Sequence, residues 1–465
     1  MSKRALRADL LDFTSTPHWG QPTLDGVRFR PDHWLLIGED GRIVGAQAAS
    51  AGSPGPDWQL EDHRGRLLMP GFIDTHVHAP QLDVIGSFGT GLLDWLATYT
   101  FPAEVRQADP AVAQHTAETF LDALLAHGTT SAVVFPTVHA HSAEALFAGA
   151  HARGMRLVTG KVMMDRECPP DLRDDAAGSV RDSEALIQRW HGQGRNSYAV
   201  TVRFAVTSTP EQLAGAGELC RRHAGVYMQT HVAESQDEVA LVARMFPEAR
   251  SYLDVYHRTG LLHERAVLAH GIWLDAQDRA LLRDTGAHIA HSPTSNLFLG
   301  SGLFDWEGAI AAGHGVSVAT DVGGGTSLSM PRTLAEAYKV QALRGVKLNA
   351  FAALHAATAG AAQALRLDSE IGSLEPGRLA DVAVWDWAHG AVAEHRDAVA
   401  VGRLPGTTAQ PLHARLFAWM QLADERNLAA TFVAGHARFR RTPAGQSAPL
   451  GAPDPAQQKG GLGSC

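Results

Sequence analysis

Residues 66–81 read RLLMPGFIDTHVHAPQ. A Pro-Gly set between two apolar runs, followed by two histidines two residues apart, describes a buried strand that ends at a polar site. Residues i and i+2 of a strand share a face, so His76 and His78 point the same way. Seven further apolar runs follow: TTSAVVFPTV (129–138), MRLVTGKVMM (155–164), YAVTVRFAVT (198–207), GVYMQTHVA (225–233), RAVLAHGIW (265–273), GAHIAHSPT (286–294) and GVSVATDVG (315–323). Helical patterns such as DPAVAQHTAETFLDALLAHG (109–128) and TPEQLAGAGELCRRHA (209–224) lie between them. Several open on a capping Asp, Ser or Thr and close at Gly. Eight buried strands alternating with helices predict an α/β fold, a closed (β/α)8 barrel over residues 67–370.

Outside this block the pattern changes. Residues 1–66 read as short strands, with HWLLIGEDGRIVG (33–45) forming a hairpin around Asp40-Gly41. After two helical stretches, SLEPGRLADVAVWD (373–386) and TFVAGHARFRR (431–441) again read as strands. Both ends are expected to join in one small β-sandwich-like domain, built from residues 1–66 and 371–441. Residues 442–465 are rich in Pro, Gly and Ala and are expected to be disordered, with Cys465 a free thiol.

The chain has 465 residues, of which 45% are hydrophobic and 19% charged, as suits a globular enzyme. Its net charge of −9, with 40 basic residues and no basic run, argues against a nucleic-acid surface. Three scattered cysteines give no disulfide framework and suggest a reducing compartment, the cytoplasm. No run has the length of a signal peptide or a membrane helix.

Active sites of such barrels lie at the C-terminal ends of the strands. Metal-binding residue types fall at four of these ends: His76 and His78 on the first, His231 and Glu234 in QTHVAES, His270 in VLAHG, and Asp321 in VATDVGGG. Neutral imidazoles with a carboxylate suit Zn2+, with Fe2+ as the substitute. With 24 histidines a single His-x-His means little, and His139 and His141 are read as such a coincidence at a helix entry. The joint placement at four strand ends is the signal.

PGFIDTHVH, HVAES, LAHG and ATDVGGG resemble the mononuclear deaminases of the amidohydrolase superfamily, and the likeness runs over residues 66–440. Within that superfamily HAPQLDVIGSFGTGLLDWLATYTFPAE (78–104), KVMMDRECPP (161–170), TVRFAVTSTPEQL (201–213) and HIAHSPTSNLFLGSGLF (288–304) resemble the guanine deaminases. The resemblance implies that His76, His78, His231 and Asp321 bind one divalent metal, with Glu234 a proton shuttle and His270 an assistant to the attacking water. Spacing alone leaves open which histidine is the further ligand and which the helper. A binuclear site would want a lysine on the fourth strand, where this chain has Arg203. Lys161, on the third, is the remaining candidate, so one metal is expected. The Pro-Cys-x-x-Cys element of the cysteine-ligated deaminases is absent.

The implied reaction is zinc-dependent hydrolysis of guanine at C2 to xanthine and ammonia, with no organic cofactor and a homodimeric enzyme. A bound zinc lowers the pKa of its water to about 7. Asp321 and Glu234 would move the water's proton, and His270 would stabilise developing charge. Gln81 can donate and accept along the base edge, and Arg203 can donate to the C6 carbonyl that adenine lacks. Phe204 would offer a backbone contact and Trp95 an apolar wall, with the loop over residues 80–105 acting as a lid. The alternatives are a deaminase of another aminated heterocycle (8-oxoguanine, a pterin, cytosine or a triazine) and a non-catalytic scaffold.

Overall fold

Each of the eight apolar runs contains a strand in the computed structural model, which describes residues 2–89, 91–403, 406–441 and 447–449. The strands Phe72–His78, Thr129–Phe135, Arg156–Thr159, Asn196–Val202, Tyr227–Val232, Ala266–His270, His288–His291 and Gly315–Val318 pair side by side in chain order. All the pairings are parallel. The short strand Val162–Met163 prolongs the third run and pairs with the fourth strand. The first, second and fourth strands are buried at every residue, because a parallel sheet wrapped by helices has no wet face. The barrel closes where the chain after the eighth strand meets the first. There Asp321 N donates to His76 O and His78 N to Val322 O, each at 2.9 Å. Closure therefore joins two expected site segments directly.

Both chain ends form one mixed eight-stranded sheet. Its order is Ser447–Pro449, His436–Arg441, Leu428–Val433, Val382–Asp386, Gln59–Pro70, Arg4–Phe13, Val27–Ile37, Ile43–Ala48. Arg4–Phe13 and Gln59–Pro70 run parallel and the other pairs antiparallel. Alternation decides what each face covers. Leu67, Met69, Ala383 and Trp385 belong to the large core shared with the barrel. Leu68, Val382 and Val384 belong to a separate core with Leu6, Leu35 and Phe432. The sandwich-like character thus comes from a single sheet buried on both faces. Gly41, in the turn anticipated at Asp40-Gly41, has φ of +77°, and a Cβ there would lie 2.3 Å from the Ala434 carbonyl oxygen. A glycine is required for the first hairpin to touch the last.

Glu61 fastens the two ends. It pairs with Arg4 on the first strand of the chain, with Arg440 at 2.8 Å on the last hairpin, and with His63 at 3.5 Å. Burial alone would raise its carboxyl, but the hydrogen bonds from His63 and Arg440 and the charges of Arg440 and Arg4 outweigh it and hold it at about 2. A lowered carboxyl contributes stability above its unfolded value of 4.5, lost as pH falls toward 2. Glu61→Gln is therefore expected to lower the thermal midpoint by about 2–4 °C at pH 7. Thermal scans at pH 7 and pH 3 should show that gap closing with acid, and a gap independent of pH would refute the assignment.

Some expectations change. The second of the helical stretches, NAFAALHAATAGAAQALR (349–366), is helical as expected but in two pieces, Ala350–Ala356 and Ala359–Ala364, broken at Thr358, whose φ and ψ are −131° and −98°. Helices Ala391–Arg403 and Ala409–Leu422 were not anticipated. The segment expected as a loop over residues 80–105 is a succession of helical turns, Ala79–Val84, Leu92–Trp95, Leu96–Thr100 and Phe101–Val105. Its apolar residues at helical spacing, Leu92, Trp95 and Leu96, turn inward to wall a cavity. The expected disorder of residues 442–465, and Cys465, lie outside the described residues apart from the edge strand Ser447–Pro449. No helix among the described residues is long and apolar enough to cross a membrane.

Candidate active site

The strand ends deliver their imidazoles to one point. His78 Nε2 lies 3.2 Å from His76 Nε2 and 3.1 Å from His231 Nε2. Asp321 Oδ1 is 3.1 Å from His76 and 3.4 Å from His78, and Asp321 Oδ2 is 3.7 Å from His270. His76, His231, His270 and Asp321 can each place one ligand atom within 4.8 Å of all the others. All five sequence-derived candidates therefore converge. The mutually close set contains His270 and leaves out His78, although His78 Nε2 also faces the centre through His76, His231 and Asp321.

The surroundings prepare these groups for a cation. His231 Nδ1 faces the Arg203 carbonyl oxygen at 2.7 Å, and His270 Nδ1 faces Asn296 Oδ1 at 2.8 Å. An Nδ1 that donates to an oxygen leaves the Nε2 lone pair pointing inward, the tautomer a metal requires. Burial, with the neighbouring imidazoles, lowers His231 well below the usual histidine range, and burial pushes His78 down to about 3. Asp321 is held well below the usual carboxylate range: burial opposes this, but the His76 charge and the hydrogen bonds from His76 and His78 prevail. Imidazole nitrogens packed 3.1–3.2 Å apart around a carboxylate fit a divalent ion, and the nitrogen-rich donor set suits zinc.

Three residues bearing on the centre have left-handed backbone: Ala233 at φ 48°, His270 at 71° and Asp321 at 49°. Such strain concentrates where a side chain must be aimed against local preference. Below them, buried Asp74 accepts hydrogen bonds from His76 N at 3.3 Å, Thr320 N at 3.1 Å and the Thr320 hydroxyl, tying the first strand to the segment that bears Asp321. Burial raises its carboxyl to about 6 despite these bonds.

Glu234 stands beside the centre, with Oε2 3.4 Å from His270 Nε2 and Oε1 accepting from Ser301 Oγ at 2.9 Å. Burial first, and the Asp321 charge second, push its carboxyl up to about 8. A carboxyl so shifted holds a proton at neutral pH and can give it up within the cavity. Its backbone is fixed by Glu238, whose Oε2 accepts from Glu234 N at 2.9 Å and Ser235 N at 3.3 Å. Ser235 Oγ in turn accepts from Glu238 N, completing a capping box on helix Gln236–Met245.

A small cavity opens over these groups. Gln81, Arg203, Phe204 and Trp95 all line it, so the residues expected to meet the base do face one space with the metal-ligating group. Trp95 is fixed by its indole N–H, which donates to Ser87 O at 3.1 Å. Arg203 also makes a buried ion pair, its Nη1 donating to Glu104 Oε1 and Oε2 at 2.7 and 2.6 Å. Lys161 pairs with Asp174 and takes no part in the converging group. His139 and His141 stack on each other at the start of helix Ala140–Arg153, where His141 Nε2 bonds the Gln107 carbonyl, consistent with a coincidental pair.

Sequence reasoning missed Asp74, Glu104, Glu238, Asn296 and Ser301. The Ser-x-x-Glu spacing of Ser235 and Glu238 is a readable capping signal. Asp74, Glu104, Asn296 and Ser301 all stand inside the family-like stretches, but no spacing within those stretches assigns them a role.

Comparison with known proteins adds to this geometry. The pattern of the Amidohydrolase family matches residues 67–438. The chain is 40% identical over 440 residues to the guanine deaminase of Escherichia coli (strain K12), covering 94% of this chain and 98% of that protein. The solved structure of E. coli guanine deaminase superposes with a TM-score of 0.89 at 39% identity, covering 95% of this chain and all of that one. A guanine deaminase from C. acetobutylicum with guanine bound in its active site gives a TM-score of 0.80 at 25% identity, covering 94% and 99%.

Proposed function

This chain belongs to the amidohydrolase family and, within it, to the guanine deaminases, and from that premise we propose how its own residues carry out the hydrolysis of guanine to xanthine and ammonia. The observation that carries the reading is the convergence of His76, His78, His231, His270 and Asp321 beneath a cavity walled by Gln81, Arg203, Phe204 and Trp95. A zinc ion held by His76, His78, His231 and Asp321 would acidify the water that attacks C2. Asp321, a carboxylate throughout the physiological range, accepts the water's first proton. Glu234 gives its proton to the ring nitrogen beside C2, which makes that carbon electrophilic, regains one from the new C2 hydroxyl as the carbonyl forms, and hands it to the exocyclic amine, which leaves as ammonia; the proton held by Asp321 then restores Glu234. His270, 3.4 Å from Glu234 and 3.7 Å from Asp321, steadies the charge that develops at C2. Atoms balance as guanine plus water giving xanthine plus ammonia.

Gln81 and Arg203 meet the polar edge of the base, Phe204 contributes its backbone, and Trp95 covers a ring face. The free thiols Cys168 and Cys220 support a cytoplasmic setting, and a homodimer is the assembly to test by sedimentation. Another aminated heterocycle as principal substrate is not favoured, because these side chains sit within a chain that matches guanine deaminases over nearly its whole length.

Ammonia release from guanine by zinc-replete protein is expected to fall to background after chelation and to return on adding zinc. Turnover that survives complete removal of metal would overturn the assignment of the converging group.

A further inference from the structure

Glu104 lies behind the cavity wall, fully buried, and is not needed for any chemical step. Both its oxygens accept from Arg203 Nη1, and Oε1 also accepts from Gln81 Nε2 at 3.4 Å. Gln81 Oε1 is taken by Gly323 N at 3.0 Å. These contacts orient the amide: its oxygen faces a main-chain donor and its nitrogen a carboxylate, so it cannot turn over without opposing donor to donor. The Phe101 ring, 5.2 Å from Arg203 Cζ, steadies the guanidinium further.

After these bonds are made, Gln81 and Arg203 still offer the cavity one amide N–H together with the guanidinium N–H groups on Nε and Nη2, which have no acceptor among the described residues. Against these donors stands only the second lone pair of Gln81 Oε1, whose first is engaged by Gly323 N. We propose that Glu104 is a positioning residue that makes this part of the wall donor-rich and thereby selects a base edge composed only of acceptors.

The inference rests on the reading of the site as a guanine-hydrolysing one. Guanine presents O6 and N7, two acceptors, on a single edge, whereas adenine presents N7 beside a donating amine. A donor-rich wall pairs with the first and confronts the second with a buried donor left unpaired, which disfavours binding. Without Glu104 the Gln81 amide is free to rotate and Arg203 to swing, and the wall no longer distinguishes the two edges.

The test compares two substrates that carry the same amine at C2, guanine and 2-aminopurine, the latter without the C6 oxygen. Glu104→Gln is expected to lower kcat/KM for guanine by about 10–10²-fold, chiefly through KM, and to change that for 2-aminopurine by less than about 3-fold. Metal content and unfolding midpoint should stay at wild-type levels, and Glu104→Asp should recover part of the loss. Equal losses on both substrates, or loss of metal, would show Glu104 to be merely structural. Should the variants fail to fold, inhibition of the wild type decides: hypoxanthine, with the O6/N7 edge, is expected to inhibit at least about 10-fold more tightly than adenine. Equal inhibition would overturn the inference. If wild-type zinc protein releases no ammonia from guanine, the functional reading itself has failed, a result distinct from either of these.

Discussion

Glu234→Gln is expected to lower kcat on guanine by on the order of 10³-fold while the protein keeps its full complement of metal. The side chain is buried against His270 and Ser301 at the wall of the cavity. Glutamine preserves the volume and can still meet Ser301, so the cavity and the ligand group should stand. What it cannot do is receive and release a proton, and both the activation of the ring and the departure of ammonia depend on that. KM for guanine should move little, because the base is held by Gln81 and Arg203. Steady-state kinetics with metal analysis on the same sample checks this. Turnover near the wild-type rate would remove Glu234 from the proton path, and loss of metal would make it a ligand.

Asp321→Asn is expected to abolish turnover to a similar or greater degree, on the order of 10³-fold or more, but by a different route. Its carboxylate is the anionic member of the converging group, placed within 3.1–3.4 Å of His76 and His78. An amide in its place removes the charge that balances a divalent ion and presents an N–H where a lone pair is needed. Metal content should therefore fall together with activity and recover only partly in excess zinc. The two variants thus form a pair with the same kinetic defect and opposite metal analyses. An Asp321→Asn protein that retains both metal and turnover would exclude the residue from the centre.

The barrel was legible because parallel strands covered on both faces leave long apolar runs, and Asp, Ser and Thr caps divide the helices between them. The converging group was legible because chemistry in this architecture is confined to strand ends, where His76 with His78, His231, His270 and Asp321 stand at four separate runs. Other parts depend on contacts that sequence distance hides. Arg203 and Glu104 are 99 residues apart, and only the folded chain shows that one carboxylate serves two residues of the wall. Helix Ala391–Arg403 escaped notice because Ala400 is its one buried residue, so no apolar stripe betrays it. Leu92, Trp95 and Leu96 do carry helical spacing, but their segment, read as a loop, yields several short turns.

The Arg203 carbonyl, and not its side chain, is what orients His231. Position 203 therefore serves two masters through chemically independent handles, one common to every amino acid and one particular to arginine. Mutation there can redraw which molecules are admitted while the acceptor that prepares the ligand histidine stays in place. A scaffold wired in this way can drift from one aminated ring to another without passing through forms that have lost their metal, which makes this strand end a natural place to begin directed evolution toward new substrates.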